Sequence, residues 1–218
     1  MKIGVLALQG DFIEHRQMLE GLGVTAVEVR LPDQLAGLDG LIIPGGESTT
    51  IGKLAGLYGF MEPLRQFAQT KGVWGTCAGM IFMAKDVGAD QPLLGIMDVV
   101  VQRNAFGRQV DSFEADLVVP VLRDGETRPF PAVFIRAPKL VETKGDAQII
   151  AKLPDGTAVA AQQGKWLATS FHPELTGDSR FHEYFLELVK AGEASRFHGI
   201  RKKSENRQAR EERKDKTF

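Results

Sequence analysis

The chain has 218 residues, 43% hydrophobic and 25% charged, with a net charge of −1 and a single cysteine. That is enough apolar material for one generous α/β domain, and it excludes internal disulfides and Cys-rich zinc sites. No apolar run approaches the ~20 residues of a membrane helix, and the N-terminus lacks the regions of a signal peptide, so a soluble cytoplasmic protein is expected. Charge is spread unevenly. Residues 193–218 carry nine Lys/Arg and five Asp/Glu, leaving 18 basic and 23 acidic residues in the remainder. The basic stretch is nearly bare of aromatics, Phe197 and Phe218 apart, which suits a solvated extension better than a nucleic-acid surface. The expected organisation is one domain over 1–192 and a charged extension, helical or disordered, over 193–218.

In chain order, Lys2–Leu8 is an apolar run closed by Gln9-Gly10 and reads as a buried strand. Asp11 then caps a helix over Phe12–Leu22, with Gly23 as its stop. Val24–Leu31 is a second strand, halted by Pro32, and Leu38–Ile43 a third, ending at Pro44-Gly45-Gly46. Helices are predicted at Ile51–Leu57 and Met61–Thr70, a short strand at Gly72–Gly75 and a helix at Met80–Val87. Strand and helix thus alternate over roughly the first 90 residues, the pattern of a parallel sheet covered on both faces.

The middle changes character. Val99–Arg103, Ala115–Leu122, Ala132–Ala137, Ala147–Leu153 and Ala158–Gln162 read as strands separated by turns such as Asp124-Gly125 and Asp155-Gly156. They are expected as antiparallel additions to the sheet. Lys165–Phe171 is a further strand and Ser179–Lys190 a closing helix. There is no internal repeat.

Three motifs follow predicted strands, and in a doubly wound sheet ligands gather beyond the carboxyl ends of the strands. The first, Gly75-Thr76-Cys77-Ala78-Gly79, has the spacing of a nucleophile elbow with cysteine in place of serine. A sharp strand-to-helix turn exposes the nucleophile, and flanking side chains would strike neighbouring backbone, hence the two glycines. The competing reading is a small apolar Cys in the core. The second, Ser170-Phe171-His172-Pro173-Glu174, supplies an imidazole base and a carboxylate to orient it. Alone, such a His is a structural or surface residue. The third, Pro44-Gly45-Gly46-Glu47-Ser48-Thr49-Thr50, lets backbone N–H groups approach a substrate closely. A phosphate loop lacks its Gly-Lys-Ser/Thr here, and a plain turn is the other alternative.

The segments "PGGEST", "GTCAG" and "SFHPE", in that order, resemble the class I (triad) glutamine amidotransferases. With "LALQGDFIEH", "VVVQRNAFGRQVDSFEADL" and "VFIRAP", the chain is similar over nearly all of residues 2–190 to the family of glutaminase subunits of pyridoxal 5′-phosphate synthase. The resemblance implies a flavodoxin-like, mostly parallel sheet with helices on both faces and additional antiparallel strands. It implies Cys77 as nucleophile, His172 as base and Glu174 as its orienting acid, with Gly46 and Ala78 forming the oxyanion hole. Glutamine would be held by Gly46, Glu47, Ser48, Arg103, Ile135 and Arg136; without the resemblance, the two arginines read as surface charges on strand ends. Gln9 and Gly10 fall where the family has its oxyanion region and interface, against a plain strand-ending turn. The implied partner is a synthase subunit, a (β/α)8 barrel in a large hetero-oligomer, which receives the ammonia and builds pyridoxal phosphate from a pentose phosphate and a triose phosphate. Glu14, His15 and Arg16 on the first helix form a candidate docking face or a solvated stripe.

The sequence leaves two other readings open: a triad amidotransferase subunit of another biosynthetic complex, and a catalytically silent regulatory partner. Neither a nucleic-acid nor a membrane partner is expected. His182 reads as a packing or rim residue, His198 belongs to the extension, and neither shows metal-ligand spacing, so no metal and no cofactor are expected. Trp74 and Trp166 read as packing residues, and Met80–Met83 as helix core.

Overall fold

A computed structural model describes residues 1–103 and 112–192. The first half alternates as β1 (Lys2–Leu6), α1 (Phe12–Gly21), β2 (Thr25–Val29), β3 (Gly40–Ile43), α2 (Ser48–Leu57), α3 (Met61–Thr70), β4 (Gly72–Thr76) and α4 (Ala78–Met83). There follow β5 (Ala84–Asp86), β6 (Met97–Gln102), β7 (Ser112–Leu117), β8 (Phe130–Ile135), β9 (Lys139–Thr143), β10 (Gln148–Lys152), β11 (Ala158–Gln163) and β12 (Trp166–Thr169). A helix over 180–192, α5, closes the described chain.

Parallel pairing runs β2-β1-β3-β4-β12, the flavodoxin-like order with its switch point between β1 and β3. Antiparallel strands β11, β9 and β6 extend the sheet beyond β12, with β5 parallel to β6 at the far edge and β10 paired to β11. Strand alternation divides the core in two. Leu41, Ile43 and Val73 pack with Ile51, Leu64 and Phe82 on the face covered by α2, α3 and α4. Ile42 and Trp74 point the other way, onto Leu19 of α1, Phe181 and Phe185 of α5, and Phe130 and Phe134 of β8. Burial on both sides explains why the central strands are continuously apolar rather than alternating.

The structure corrects several expectations. The helix predicted at Met80–Val87 stops at Met83, because Ala84 turns extended and pairs with Met97. The helix predicted from Ile51 begins at Ser48, because the Glu47 carboxylate accepts the N–H groups of Thr49 and Thr50. The strand predicted to Leu122 ends at Leu117; β7 and β8 form a separate two-stranded sheet instead of joining the main one. Strand β9 was not anticipated. Asp11 flanks α1 without a side-chain capping bond. His15 is fully buried, one turn from Leu19 on the inner stripe of α1, so it is no part of a docking face. Part of the "RNAFGRQVDSFEADL" block, His198 and the extension over 193–218 lie outside the described residues.

Candidate active site

Four neighbouring parallel strands deliver their C-terminal ends to one cleft of about 420 Å³, beside the switch point. Its walls include Gln9 after β1, Gly46, Glu47 and Ser48 after β3, Cys77 and Ala78 after β4, and His172 after β12. Ile135 and Arg136 arrive from the end of β8, and Arg103 from the end of β6. Of the residues singled out in the sequence, Gly10 and Glu174 stand behind this lining.

Cys77 adopts φ 47°, ψ −103°, a left-handed conformation that costs an L-residue roughly 1–3 kcal/mol. Its flanking glycines make the turn possible. A Cβ on Gly79 would lie 2.0 Å from the carbonyl oxygen of Ile43, and one on Gly75 would lie 2.5 Å from the carbonyl carbon of Gly79. The Cys77 N–H donates to the Thr169 carbonyl at 2.8 Å, pinning the elbow to the neighbouring strand β12. Cys77 is 6% exposed, and its thiol points to the Ile135 carbonyl at 3.9 Å. Arg136 also has positive φ, at 41°, so two of the three non-glycine positive-φ residues among those described line this cleft.

His172 donates from Nδ1 to Oε1 of Glu174 at 2.7 Å, which leaves Nε2 for the thiol proton. Its backbone N–H is held by the Val133 carbonyl at 2.8 Å. Gly45 leaves room for the ring, since a Cβ there would stand 2.4 Å from Cε1. Burial works against an imidazolium here, but hydrogen bonds and charge from Cys77 and Glu174 outweigh it and raise His172 to about 10. Burial is also the largest influence on Glu174 and leaves its carboxyl raised, although the hydrogen bond and charge of His172 pull it down. The short contact holds the pair as imidazolium and carboxylate.

Asp11, expected as a helix cap, brings a second carboxylate to His172, 3.4 Å from Nδ1. Asp11, His172 and Glu174 place one donor atom each within 4.8 Å of one another. Two of those atoms already hydrogen-bond each other, which suits an oriented base rather than an open metal site.

The loop after β3 is stitched to the turn after β1. The Asp11 N–H donates to Gly45 O at 3.2 Å, and the Glu47 N–H to Gln9 Oε1 at 2.7 Å. Gly10, at φ 100°, lies so close that a Cβ would stand 1.7 Å from Gly45 O. Burial opposes ionisation of Glu47, but hydrogen bonds from Thr50 and Thr49 lower it to about 2. Arg103 reaches Glu47 at 3.4 Å and donates to Gln91 Oε1 at 2.6 Å; Gln91 in turn donates to Ser48 Oγ at 3.5 Å. Sequence reasoning missed Asp11, Ile81 and Leu175 in the cleft lining and Gln91 behind Arg103; of these, Asp11 and Gln91 make polar contacts with site residues. Neither Asp11 nor Gln91 sits in one of the three motifs, and what reveals each is a contact with another segment, His172 for Asp11 and the end of β6 for Gln91.

A thiol on a strained strand-to-helix turn, backed by an imidazole–carboxylate pair, is the equipment of cysteine-dependent acyl transfer. A model of the SNO glutamine amidotransferase family matches residues 5–191, and the chain belongs to that family. It is 59% identical over 193 residues to the pyridoxal 5′-phosphate synthase subunit PdxT of Herpetosiphon aurantiacus, covering 86% of this chain and 100% of the relative. Identity to the protein of the same name from Moorella thermoacetica is 58% over 191 residues, 87% of this chain and 100% of the relative. A crystal structure of a glutamine amidotransferase superimposes with TM-score 0.80 at 49% identity, covering 86% of this chain and 98% of the other. The structure of PurLQS from Thermotoga maritima shares the fold, with TM-score 0.65 at 14% identity over 86% of this chain and 98% of the other.

Proposed function

We propose that this chain is the glutaminase subunit of a pyridoxal 5′-phosphate synthase, hydrolysing L-glutamine to L-glutamate and ammonia. The observation that carries the reading is the 2.7 Å His172–Glu174 pair sharing a cleft with the strained Cys77, in a chain 59% identical to a relative of that name. Cys77 thiolate attacks the side-chain amide carbon of glutamine, and the carbonyl oxygen becomes an oxyanion facing the N–H groups of Gly46 and Ala78. The C–N bond breaks as the His172 imidazolium protonates the leaving nitrogen, releasing ammonia and a γ-glutamyl thioester on Cys77. Water then attacks the thioester, His172 takes its proton, and the sulfur leaves as glutamate forms. Glu174 keeps the Nδ1 proton in place throughout.

Gly46, Glu47, Ser48, Arg103, Ile135 and Arg136 hold the substrate. Both arginines suit an α-carboxylate, which a guanidinium grips with two parallel hydrogen bonds. The Glu47 carboxylate is engaged by the start of α2 and by Arg103, so its part is to aim that arginine. Ammonia passes to a (β/α)8-barrel synthase subunit in a large hetero-oligomer, with Gln9 and Gly10 near the contact. Residues 1–192 form the glutaminase domain, and 193–218 are an extension outside it. Among the described residues no helix is long and apolar enough to cross a membrane; a reducing cytoplasm keeps a nucleophilic thiol free.

The test is glutamate production from glutamine by the chain alone and with the synthase subunit, repeated with Cys77→Ala. Activity that depends on Cys77 supports the reading. An inert wild type with its synthase, or an equally active variant, overturns it.

A further inference from the structure

Behind the cleft a buried chain of polar groups continues past Glu174. Oε1 faces His172, and Oε2, on the far side of the carboxylate, has no well-aligned hydrogen bond. The group facing Oε2 is Nε2 of His15 on α1, at 3.3 Å; that atom is also 3.1 Å from Oγ1 of Thr76, the residue before the nucleophile. The other ring nitrogen of His15, Nδ1, lies 2.9 Å from Nε2 of His182 on α5. Both imidazoles are fully buried against Trp74, with ring centroids 5.6 Å and 4.8 Å from it. Neither His15 nor His182 belongs to the cleft lining, and the mechanism above uses neither.

The two tautomers of His15 are not equivalent. With its proton on Nδ1, His15 could accept the Thr76 hydroxyl at Nε2, but the same lone pair would still face the Glu174 carboxylate at 3.3 Å, a repulsion in a dry interior that leaves Oε2 with no donor. With the proton on Nε2, His15 shares it between Glu174 Oε2 and Thr76, while Nδ1 accepts from His182 Nε2–H. His182 Nδ1 has no partner in either arrangement, so it does not discriminate. We infer that His15 is a positioning residue for the reaction: its Nε2–H holds the outer oxygen of Glu174, with His182 fixing the tautomer from behind.

The inference rests on the glutaminase reading for its kinetic consequence, but its geometry stands alone. Burial keeps the relay neutral: it lowers His182 to about 3, and burial with charge from His182 and His172 lowers His15 well below 6.5. A neutral donor orients the carboxylate without competing with the His172 imidazolium for its charge. Glu174 is faced by His172 from its own segment, by His15 from α1 and by Asp11 from the turn before α1. Loss of the His15 donor leaves Oε2 beside no compensating group, so Glu174 protonates at higher pH and its hold on His172 weakens as pH falls.

The experiment compares His15→Leu, which keeps the volume and loses the donor, with His15→Gln, whose amide nitrogen reaches as far along the side chain as Nε2. Both are assayed with the synthase subunit across pH, after thermal melts. His15→Leu is expected to lower kcat about tenfold, the worth of a hydrogen bond to a charged group, with KM within about twofold. The acid limb of its kcat/KM profile is expected to move up by about one pH unit, and His15→Gln to recover most of kcat. Imidazole nitrogen-15 shifts of the wild-type chain are expected to show His15 protonated at Nε2. A His15→Leu variant with wild-type kcat and pH profile overturns the proposal, and so does an Nδ1–H tautomer. Should His15→Leu fail to fold, the tautomer decides, since it is read on the intact protein. A Cys77→Ala variant as active as the wild type would remove the glutaminase reading while leaving the tautomer measurement to judge the His15–Glu174 contact.

Discussion

The side-chain carbonyl of Gln9 accepts the backbone N–H of Glu47 at 2.7 Å, so the end of β1 fixes the loop that follows β3. The same oxygen lies against Gly46, where a Cβ would stand 2.5 Å away. Gln9→Leu removes the acceptor and frees the loop that carries the proposed oxyanion donor. A drop in kcat of about fivefold is expected, one neutral hydrogen bond's worth, with little change in melting temperature. Steady-state glutamate release against a thermal melt checks it.

Two glycines separate folding from catalysis. Gly79→Ala drives a Cβ into the Ile43 carbonyl, a backbone atom that cannot step aside, and should cost about 1–3 kcal/mol or more in urea unfolding. Gly46→Ala meets only the end of the Gln9 side chain, at φ +145°. Its strain is of similar order, about 1–3 kcal/mol, but its larger effect should fall on activity, because Gln9 must leave Glu47. Equal losses of activity per unit of lost stability in the two variants would contradict this division.

The raised pKa of His172 gives a pH effect a definite sign. Its folded value of about 10 exceeds the ordinary 6.5, so its contribution to stability is fully present below pH 6.5 and lost as pH rises toward 10. The stability gap between wild type and His172→Gln should therefore shrink between pH ~6.5 and ~10. A gap that widens over that range contradicts the assignment. Glu174→Gln removes the anion that supports the imidazolium; the His172 ring should titrate at lower pH by proton NMR, and kcat should fall about a hundredfold or more.

Arg103 is held by two anchors, Gln91 and Glu47. Gln91→Leu releases one of them without touching the thiol or its base, so KM for glutamine should rise several-fold, on the order of a lost hydrogen bond to a charged group, with kcat unchanged. Glu47→Ala removes both an anchor and the cap of α2, adding a stability loss of about 1 kcal/mol. Because Glu47 is depressed to about 2, that stability difference should persist at neutral pH and disappear as pH falls through 2. A kcat defect without a KM change in Gln91→Leu would place Arg103 elsewhere in the reaction.

Local chemistry was the legible part of this protein. The apolar runs marked β1, β3, β4 and β12, strands buried on both faces. The edge strand β2 is only partly buried, and Pro32 just beyond it marks where that run stops. The glycines around Cys77 and the His172-Pro173-Glu174 sequence are short-range motifs, and each has a direct steric or chemical cause. What escaped notice depends on contacts between distant segments. Strand β9 buries Leu140 but exposes Val141, leaving too little apolar alternation to register. His15 reads as one polar residue among Glu14 and Arg16, and only α5, packing 167 residues later in sequence, shows that it faces inward. Asp11 has the position of a cap and the orientation of a ligand for imidazole.

The register of β12 against β4, Thr169 beside Thr76, has a consequence for the order of assembly. Seven described strands, β5 to β11, separate these neighbours in the chain, so their pairing is a long-range closure that local structure cannot anticipate. As synthesis proceeds, β1 to β4 and their helices can gather around the Cys77 elbow before β12 exists. Until that strand slots in, Cys77 lacks both the Thr169 carbonyl that pins its N–H and the imidazole that would activate it. The thiol is therefore armed last, when nearly the whole sheet is in place, and an immature chain carries a cysteine without a base.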